Sequence, residues 1–339
     1  MKNKWVTILV LVPVFLLSFL IFPQPGYSKK DSFRIKFATL APDGSTWMKY
    51  MRRLDKAVKK KSHGRLGFRL YGGGIAGDES NVLRKIRIGQ IHSAVFSGVG
   101  IGRILPMVRV LDLPFLFRNT EEVDLVQKRL QDNFAQHFKK KGFEFISWAE
   151  VGSVHLFSQK AIRKVKDLSH LKIWSWSGDP ISKETFAVMG TNPIPLAVTD
   201  VTTALNTKMI DTVYGPPLGI LALQWYTNVK YMTLLPLANA TGAFLISAKA
   251  FKKIPPDLVP LFQREVVSTM DSLTQELRRQ TGDTIKLLKD GGLTMLPMPT
   301  GKDLEEFYRV HDEVAKKLAG KVYPREILDQ VYEILNRPH

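Results

Sequence analysis

"FRIKFATL" (residues 33–40), "STWMKYMRRLDKAVKKKS" (45–62), "LGFRLYGG" (66–73), "DESNVLRKIRIGQ" (78–90) and "IHSAVFSG" (91–98) follow one another with only short gaps. The first, third and fifth are short and rich in aromatic and aliphatic residues, as strands are. The second and fourth space their apolar residues three and four apart, the signature of helices with one buried face. Ser45 opens the first of these helices and Asp78 the second, both good N-terminal residues. Strand and helix therefore alternate as βαβαβ. Parallel neighbours need a crossover long enough to hold a helix, so this order predicts a parallel sheet with helices on both faces.

Outward from that stretch, "TEEVDLVQKRLQDNFAQHFKKKG" (120–142) reads as a helix capped by Thr120, with acidic residues in its first turn. "FEFISWAEVGSVHLFS" (143–158) is long and extended, as a strand is that passes from one domain into another. A second α/β region follows: "LKIWSWS" (171–177), a helix around 181–190, "PIPLAV" (193–198), a helix over 201–209, "DTVYGP" (211–216) and a helix over 219–229. "GAFLISAKAF" (242–251) is a second extended segment, suited to carry the chain back. Beyond Pro255 and Pro256 a helical pattern runs from Asp257 to about Lys289, long enough to span two domains. The pattern predicts two α/β lobes: lobe I from 31–148 plus 243–285, and lobe II from 149–242 plus 286–339. Two crossings imply a hinged cleft, an arrangement that closes on small ligands.

The N-terminus carries Lys2 and Lys4, then an apolar run from Trp5 to Phe22, then Pro23, Pro25, Gly26 and Ser28. A positive start, an apolar middle and a tail of breakers and small residues read as an export signal over 1–28, with Gly26 and Ser28 before the cut. The same run is also long enough to stay as an uncleaved anchor. The 339 residues include no cysteine, so an exported chain of this size rests on its core rather than on disulfides. That suits a bacterial periplasm. It also excludes thiol nucleophiles, cysteine metal sites and attachment as a lipoprotein.

The formal net charge of +18 raises nucleic acid or an anionic surface as partners. The clusters "KAVKKKSHGR" and "HFKKKG" sit at helix ends, however, where cations favour the helix dipole, and no nucleic-acid motif gathers the rest. The charge reads as solvated surface. "GVGIG" (98–102) lacks the full spacing of a dinucleotide loop, and "YGGGIAGDES" (71–80) lacks the Lys-Ser/Thr ending of a phosphate loop. The seven histidines show no pairing four apart, and no serine sits in a nucleophile elbow. Glu150 and His155 are cleft candidates without a visible partner for acid–base work. No enzyme, cofactor or metal is expected.

"LKIWSWSGDP" (171–180) sets Trp174 and Trp176 two apart, so both indoles face one side of a strand. Two readings fit: an aromatic wall of a pocket, or core between sheet and helix. Together with "IKFATLAPDGSTW", "GRLGFRLYGGG", "IRIGQIHSAVFS" and "LDLPFLFRNTEE", the segment "DLSHLKIWSWSGDP" resembles the solute-receptor subunits of tripartite ATP-independent periplasmic (TRAP) transporters, the DctP-type receptors. The likeness covers about Phe33 to Asn336. It implies the type II periplasmic-binding-protein-like fold, capture by cleft closure, a periplasmic location and delivery to an ion-gradient-driven membrane permease. The family's usual ligand is an organic acid held by an arginine just after a Lys-Ile or similar pair. Here Lys172-Ile173 is followed by Trp174, and an indole cannot supply the missing charge. The family's Asn-Pro near residue 215 is Gly215-Pro216.

Both departures resemble a branch with apolar pockets, some of whose members pair with a helical-repeat accessory lipoprotein. The implied ligand-binding residues are Trp174, Trp176, Asp179, Trp148, Glu150, Trp47, Leu40, Ser97, Gly98, Phe115, Phe117, Tyr214, Pro216, Gln224 and Trp225. The leading expectation is a receptor for an apolar or amphipathic solute. A carboxylate receptor using Arg103 or Arg109 is the alternative within the class, and a protein-binding scaffold with a filled cleft is the alternative outside it. Signal removal has a direct check. Intact-mass measurement of the exported protein should show loss of about the first 28 residues, whereas a full-length, membrane-retained species would identify an anchor.

Overall fold

The computed structural model describes residues 32–337; the expected export signal lies outside them. The opening stretch folds as β1 (Phe33–Ala38), α1 (Thr46–Lys61), β2 (Leu66–Tyr71), α2 (Glu79–Arg87) and β3 (Ser93–Ser97). β1 pairs in parallel with both β2 and β3. The Ser45 hydroxyl accepts the Met48 amide at 3.3 Å, and α1 buries Met48, Met51, Leu54 and Val58 on one face. α3 (Gly98–Ile104) starts directly from β3, followed by a 3-10 helix, Pro106–Asp112. Next come α4 (Thr120–Lys140) and β4 (Phe143–Trp148). The cap of α4 is Asn119 rather than Thr120: its side chain accepts the Glu122 amide at 2.9 Å, which places Thr120 inside the helix.

After Ala149, Glu150 and Val151 the chain enters β5 (Gly152–Ser158), then β6 (Trp174–Trp176), α5 (Pro180–Val188), β7 (Ile194–Leu196), α6 (Val201–Asn206), β8 (Thr212–Gly215) and α7 (Pro217–Ala222). β9 (Tyr231–Thr233) and β10 (Ala238–Ala240) follow, and only Thr241 separates β10 from β11 (Gly242–Ser247). The last elements are α8 (Ala248–Phe251), α9 (Val259–Asp290), β12 (Thr294–Leu296), α10 (Gly301–Leu318) and α11 (Arg325–Ile334).

Strand order in the first sheet is β2-β1-β3-β11-β4. β11 runs antiparallel to both of its neighbours, so the sheet is mixed where the alternation alone predicts parallel. The reason is that β11 arrives from the other lobe rather than through a helical crossover. The second sheet has the order β10-β5-β9-β12, with β8 also paired to β5, and β6 and β7 form a separate parallel pair. This is a two-lobed α/β fold with chain crossings at 149–151 and at 241.

The crossings hold each other. Ala149 donates its amide to the Gly242 carbonyl at 2.9 Å, and Val151 to that of Ala240 at 3.2 Å. A Cβ on Gly242 would lie 2.4 Å from the Ala149 carbonyl oxygen, so this approach needs glycine. The 32-residue α9 packs on α1 and β4 on one side and on α7 on the other. At the standard rise it is roughly 48 Å long, enough to brace both lobes. α10 packs on α5, whereas α11 packs on α4 and the 3-10 helix, so the C-terminal segment also touches both. No helix among the described residues is long and apolar enough to cross a membrane.

The first lobe's core centres on Phe37, Phe68, Phe244 and Phe262. The rings of Phe37 and Phe244 stack at 5.3 Å, and Phe68 meets Phe244 edge-on at 6.4 Å. Phe244 is fully buried on β11, the antiparallel strand between β3 and β4. Phe244→Ala should cost about 3–5 kcal/mol, the range for emptying a packed aromatic site. Denaturant titration checks this; a cost below about 1 kcal/mol would mean that the site collapses without a cavity.

Candidate ligand-binding site

Where β1 ends, residues 39–47 turn away from the sheet, and with Val95, Ser97 and Glu79 they form one wall of a cavity of about 570 Å³. The facing wall comes from β6, the end of β8, α7 and Trp225. α9 closes a side with Leu277, Gln280, Asp283, Thr284 and Leu287, whose spacing puts them on one helical face. A smaller cavity of about 140 Å³ lies alongside.

Four indoles line the main cavity: Trp47, Trp174, Trp176 and Trp225. Trp174 is only 2 % exposed. Its ring stacks on Tyr214 at 4.9 Å and meets Trp225 edge-on at 5.4 Å, and its Nε1 donates to the Leu196 carbonyl at 3.1 Å. The core and pocket readings of Trp174 thus describe one position, a core residue with a face on the cavity. Trp176 stands 6.0 Å away, half-buried, and its Nε1 donates to Asp78 Oδ2 at 3.0 Å. Trp225 is held by a bond from Nε1 to Thr202 Oγ1 at 3.1 Å.

Leu40, Ser97 and Pro216 also line the main cavity; Gly98, Asp179 and Tyr214 line the smaller one. Five of the expected residues lie elsewhere, each with a partner or backbone role that accounts for it. Trp148 packs edge-on against Phe134 and Phe145 and donates to the Gln127 carbonyl at 3.2 Å. Glu150 is buried in the first crossing, where Oε2 accepts from Arg278 Nε at 2.8 Å and Nη2 at 2.5 Å. Phe115 turns through a positive φ of 55° and packs on Phe307 and Tyr308, and Phe117 lies against the same core. Gln224 is exposed at a φ of 59°, a turn residue just past α7.

Gly98 has a different use from letting a ligand approach the backbone. A Cβ there would lie 2.0 Å from Asp112 Oδ2 and 2.4 Å from Arg109 Nη1, so the glycine makes room for an ion pair. Arg109 donates from Nη1 to Asp112 at 2.6 Å and from Nη2 to Asp179 at 2.5 Å, with all three side chains buried. The exposed Arg103 donates to the Ser177 carbonyl at 2.7 Å. Neither arginine lines the main cavity, and among the described residues no lysine, arginine or histidine does. Its charged residues are Asp43, Glu79 and Asp283. Asp43 pairs with Arg52 at 2.6 Å, and Asp283 is exposed.

Glu79 is absent from the residues the sequence singles out, because an acidic residue in a helix's first turn reads as a dipole partner. Here it is buried, with Oε1 accepting the Ser97 amide at 2.6 Å and Oε2 the Ser97 hydroxyl at 2.9 Å. Burial pushes its carboxyl up to about 7, against the opposing pull of these donors. The α9 wall is missed as well. Its apolar spacing is the same whether it faces a core or a cavity.

The described residues include no cluster of histidine, cysteine, aspartate and glutamate able to hold a metal ion. Two α/β lobes around a largely apolar cavity, joined by two crossings and braced by one long helix, define a solute-binding protein of the periplasmic type. The chain belongs to the bacterial extracellular solute-binding protein family 7, DctP, which its residues 37–321 match; this is a family of TRAP-type solute receptors rather than enzymes. The 2,3-diketo-L-gulonate-binding periplasmic protein YiaO of Escherichia coli is 23% identical over 71% of this chain and 72% of its own length. A solute-binding protein of Verminephrobacter eiseniae is 28% identical over 59% of this chain, and the match spans 60% of that relative's length. The sugar acid binding protein DctPAm of Advenella mimigardefordensis, solved with galactonate, has a TM-score of 0.85 at 22% identity, covering 90% of this chain and 98% of its own.

The buried Glu79 makes a pH signature. Unfolded, its carboxyl titrates near 4.5, and folded near 7, so between these values the folded state keeps a proton that the unfolded state has lost. Stability from this group is therefore present at low pH and falls as pH rises through that window. Glu79→Gln should lack this fall, so the melting temperature of the variant should gain on wild type from pH 4.5 to 7. Parallel melting curves across the window would show that Glu79 is ionised throughout.

Proposed function

We propose that the protein is a periplasmic receptor for an uncharged apolar or amphipathic small molecule, captured between lobes 31–148 plus 243–285 and 149–242 plus 286–339. Membership in the family supports delivery of that solute to an ion-gradient-driven membrane permease. The observation that carries the ligand class is the main cavity's lining: four tryptophans and, among the described residues, no cationic side chain. A carboxylate taken from water into such a space would lose its hydration without gaining a counter-charge, and that cost is several kcal/mol or more. Trp174 stands where the resemblance places an arginine, and this supports the apolar-pocket branch. Its indole offers the solute a face, since its one donor is spent on Leu196.

The carboxylate reading has one specific support: relatives such as YiaO and DctPAm carry sugar acids in their names. In this chain its two candidate cations are already engaged, Arg109 by two aspartates and Arg103 by a backbone carbonyl. The scaffold reading requires a filled cleft, and a cavity of about 570 Å³ speaks against it. Nothing in the fold of the described residues speaks for a helical-repeat lipoprotein as partner.

Native mass spectrometry of gently purified protein, followed by extraction, should yield an uncharged apolar or amphipathic compound. Calorimetric titration with galactonate and 2,3-diketo-L-gulonate should show no binding, and micromolar binding of either would overturn the ligand class. Trp174→Ala should weaken the extracted ligand roughly ten- to a hundredfold, as expected for losing a large buried apolar contact. It should also lower the melting temperature, because the same ring packs on Tyr214 and Trp225.

A further inference from the structure

The structure gathers at one edge of the first sheet basic residues that stand far apart in the sequence. The connections at this edge touch one another in series. Phe33, at the start of β1, donates its amide to the Arg65 carbonyl at 2.9 Å, just before β2, and stacks its ring at 5.4 Å on His92, just before β3. Ser247, at the end of β11, donates to the His92 carbonyl at 2.9 Å, and Ala248 to that of Gly142, just before β4, at 2.8 Å. Both cavities lie beyond the opposite ends of these strands, at residues such as Thr39 and Ser97.

These connections are rich in cations. α4 runs out in Lys139 and Lys140, followed by Lys141, and α8 carries Lys249, followed by Lys252 and Lys253. All six are exposed, and none forms an ion pair among the described residues. Lys60 at the end of α1 and Arg87 at the end of α2 are exposed and unpaired in the same way. Nearby carboxylates do not cancel this charge. Asp55 is paired with Lys59 at 2.7 Å, Glu265 with Lys61 at 2.8 Å and Asp257 with Arg65 at 2.6 Å, and Glu144 on β4 is half-buried.

All but one of these unpaired cations are lysines. A lysine is a mobile point charge, suited to a diffuse field of negative charge, whereas arginine is the residue of choice for a carboxylate on a folded partner. The charges spread over a face roughly 19 Å wide, five strands at the usual spacing of about 4.8 Å, and neither cavity reaches it. The chain also enters the sheet here, at Phe33, so an apolar run kept upstream would tether the protein by this same end. We propose that this edge is a docking face for an anionic phospholipid surface. Charge holds the receptor at the membrane there, while the cavities, at the other end of the strands, stay open to solute. The docking face is independent of the solute's chemistry.

The test is co-sedimentation of the purified exported protein with two sets of vesicles. One set contains phosphatidylglycerol with phosphatidylethanolamine, the other phosphatidylcholine alone. The protein should bind the first set far more tightly than the second. Raising salt from about 0.1 M to about 1 M shortens the screening length from about 10 Å to about 3 Å and should release it. The triple variant Lys139→Gln, Lys140→Gln, Lys141→Gln should bind about a hundredfold more weakly, at about fivefold for each lysine near an anionic surface. A control triple, Lys302→Gln, Lys316→Gln, Lys321→Gln, makes the same change in net charge at exposed lysines of α10 and the turn after it. It should bind much as the wild type does.

Equal binding to both sets of vesicles, or equal losses in the two triples, overturns the docking face. Absence of binding to either set also overturns it and assigns the lysines to an acidic protein instead. If a triple fails to fold, the lipid preference and the salt release of the wild type decide alone.

Discussion

The two lobes depend on one shared constraint, the pairing of the chain's outward and return crossings. Ala149 and Val151 donate to Gly242 and Ala240, so the crossings form a short two-stranded link rather than two free tethers. Two adjacent, hydrogen-bonded strands resist shear and splaying but tolerate twist and bend, the mechanics that suit a hinge. Charged groups pin this link from both sides. Arg278 on α9 holds Glu150 and also Asp124 on α4, while Asp112 holds the Thr241 amide. Each pin is a charge-assisted bond, and loss of one partner would strand a buried or half-buried charge.

The same pins account for where the positive charge of this basic chain is absent. A cationic side chain at a cleft is free for a ligand only when no structural carboxylate claims it. Arg109 is claimed twice, and its aspartates join the 3-10 helix at 106–112 to the turn at 177–179. Burial of the guanidinium is tolerable because both terminal nitrogens are paired. Other basic residues lie on solvated helix faces, such as the run of lysines ending α1. Net charge therefore says little about the ligand here. The cavity belongs to a basic protein, and yet among the described residues the charged groups in its wall are all acidic.

Much of the first lobe was legible because its signals are local. The alternation of β1 to β3, the Ser45 cap and the long α9 each follow from spacing or from one cap residue. Two features were not. The antiparallel insertion of β11 between β3 and β4 is set by where the return crossing lies, and no residue of "GAFLIS" encodes its neighbours. The three-residue strands β9 and β10 are too short to show a period.

At the site, the tryptophans of β6, Leu40, Ser97 and Pro216 named by the resemblance line the main cavity, whereas Trp148, Glu150 and Gln224 lie away from both cavities. An aromatic or acidic residue beside a crossing is as useful for holding the hinge as for meeting a ligand. Position along the chain does not separate the two.

Three contacts reach from the 176–179 turn of one lobe to the other: Trp176 to Asp78, Arg103 to the Ser177 carbonyl, and Asp179 to Arg109. All three join the lobes across the cleft, and none involves a solute. Under the proposed reading, closure is in part a property of the protein and the solute contributes the remaining free energy by covering the indoles. An apolar solute can do this despite making few directional bonds, because its burial is worth about 25 cal/mol for each Å² removed from water. Arg103, Arg109 and Asp78 spend their polar bonds between the lobes, so under the proposed reading closure draws on burial of the solute against the indoles.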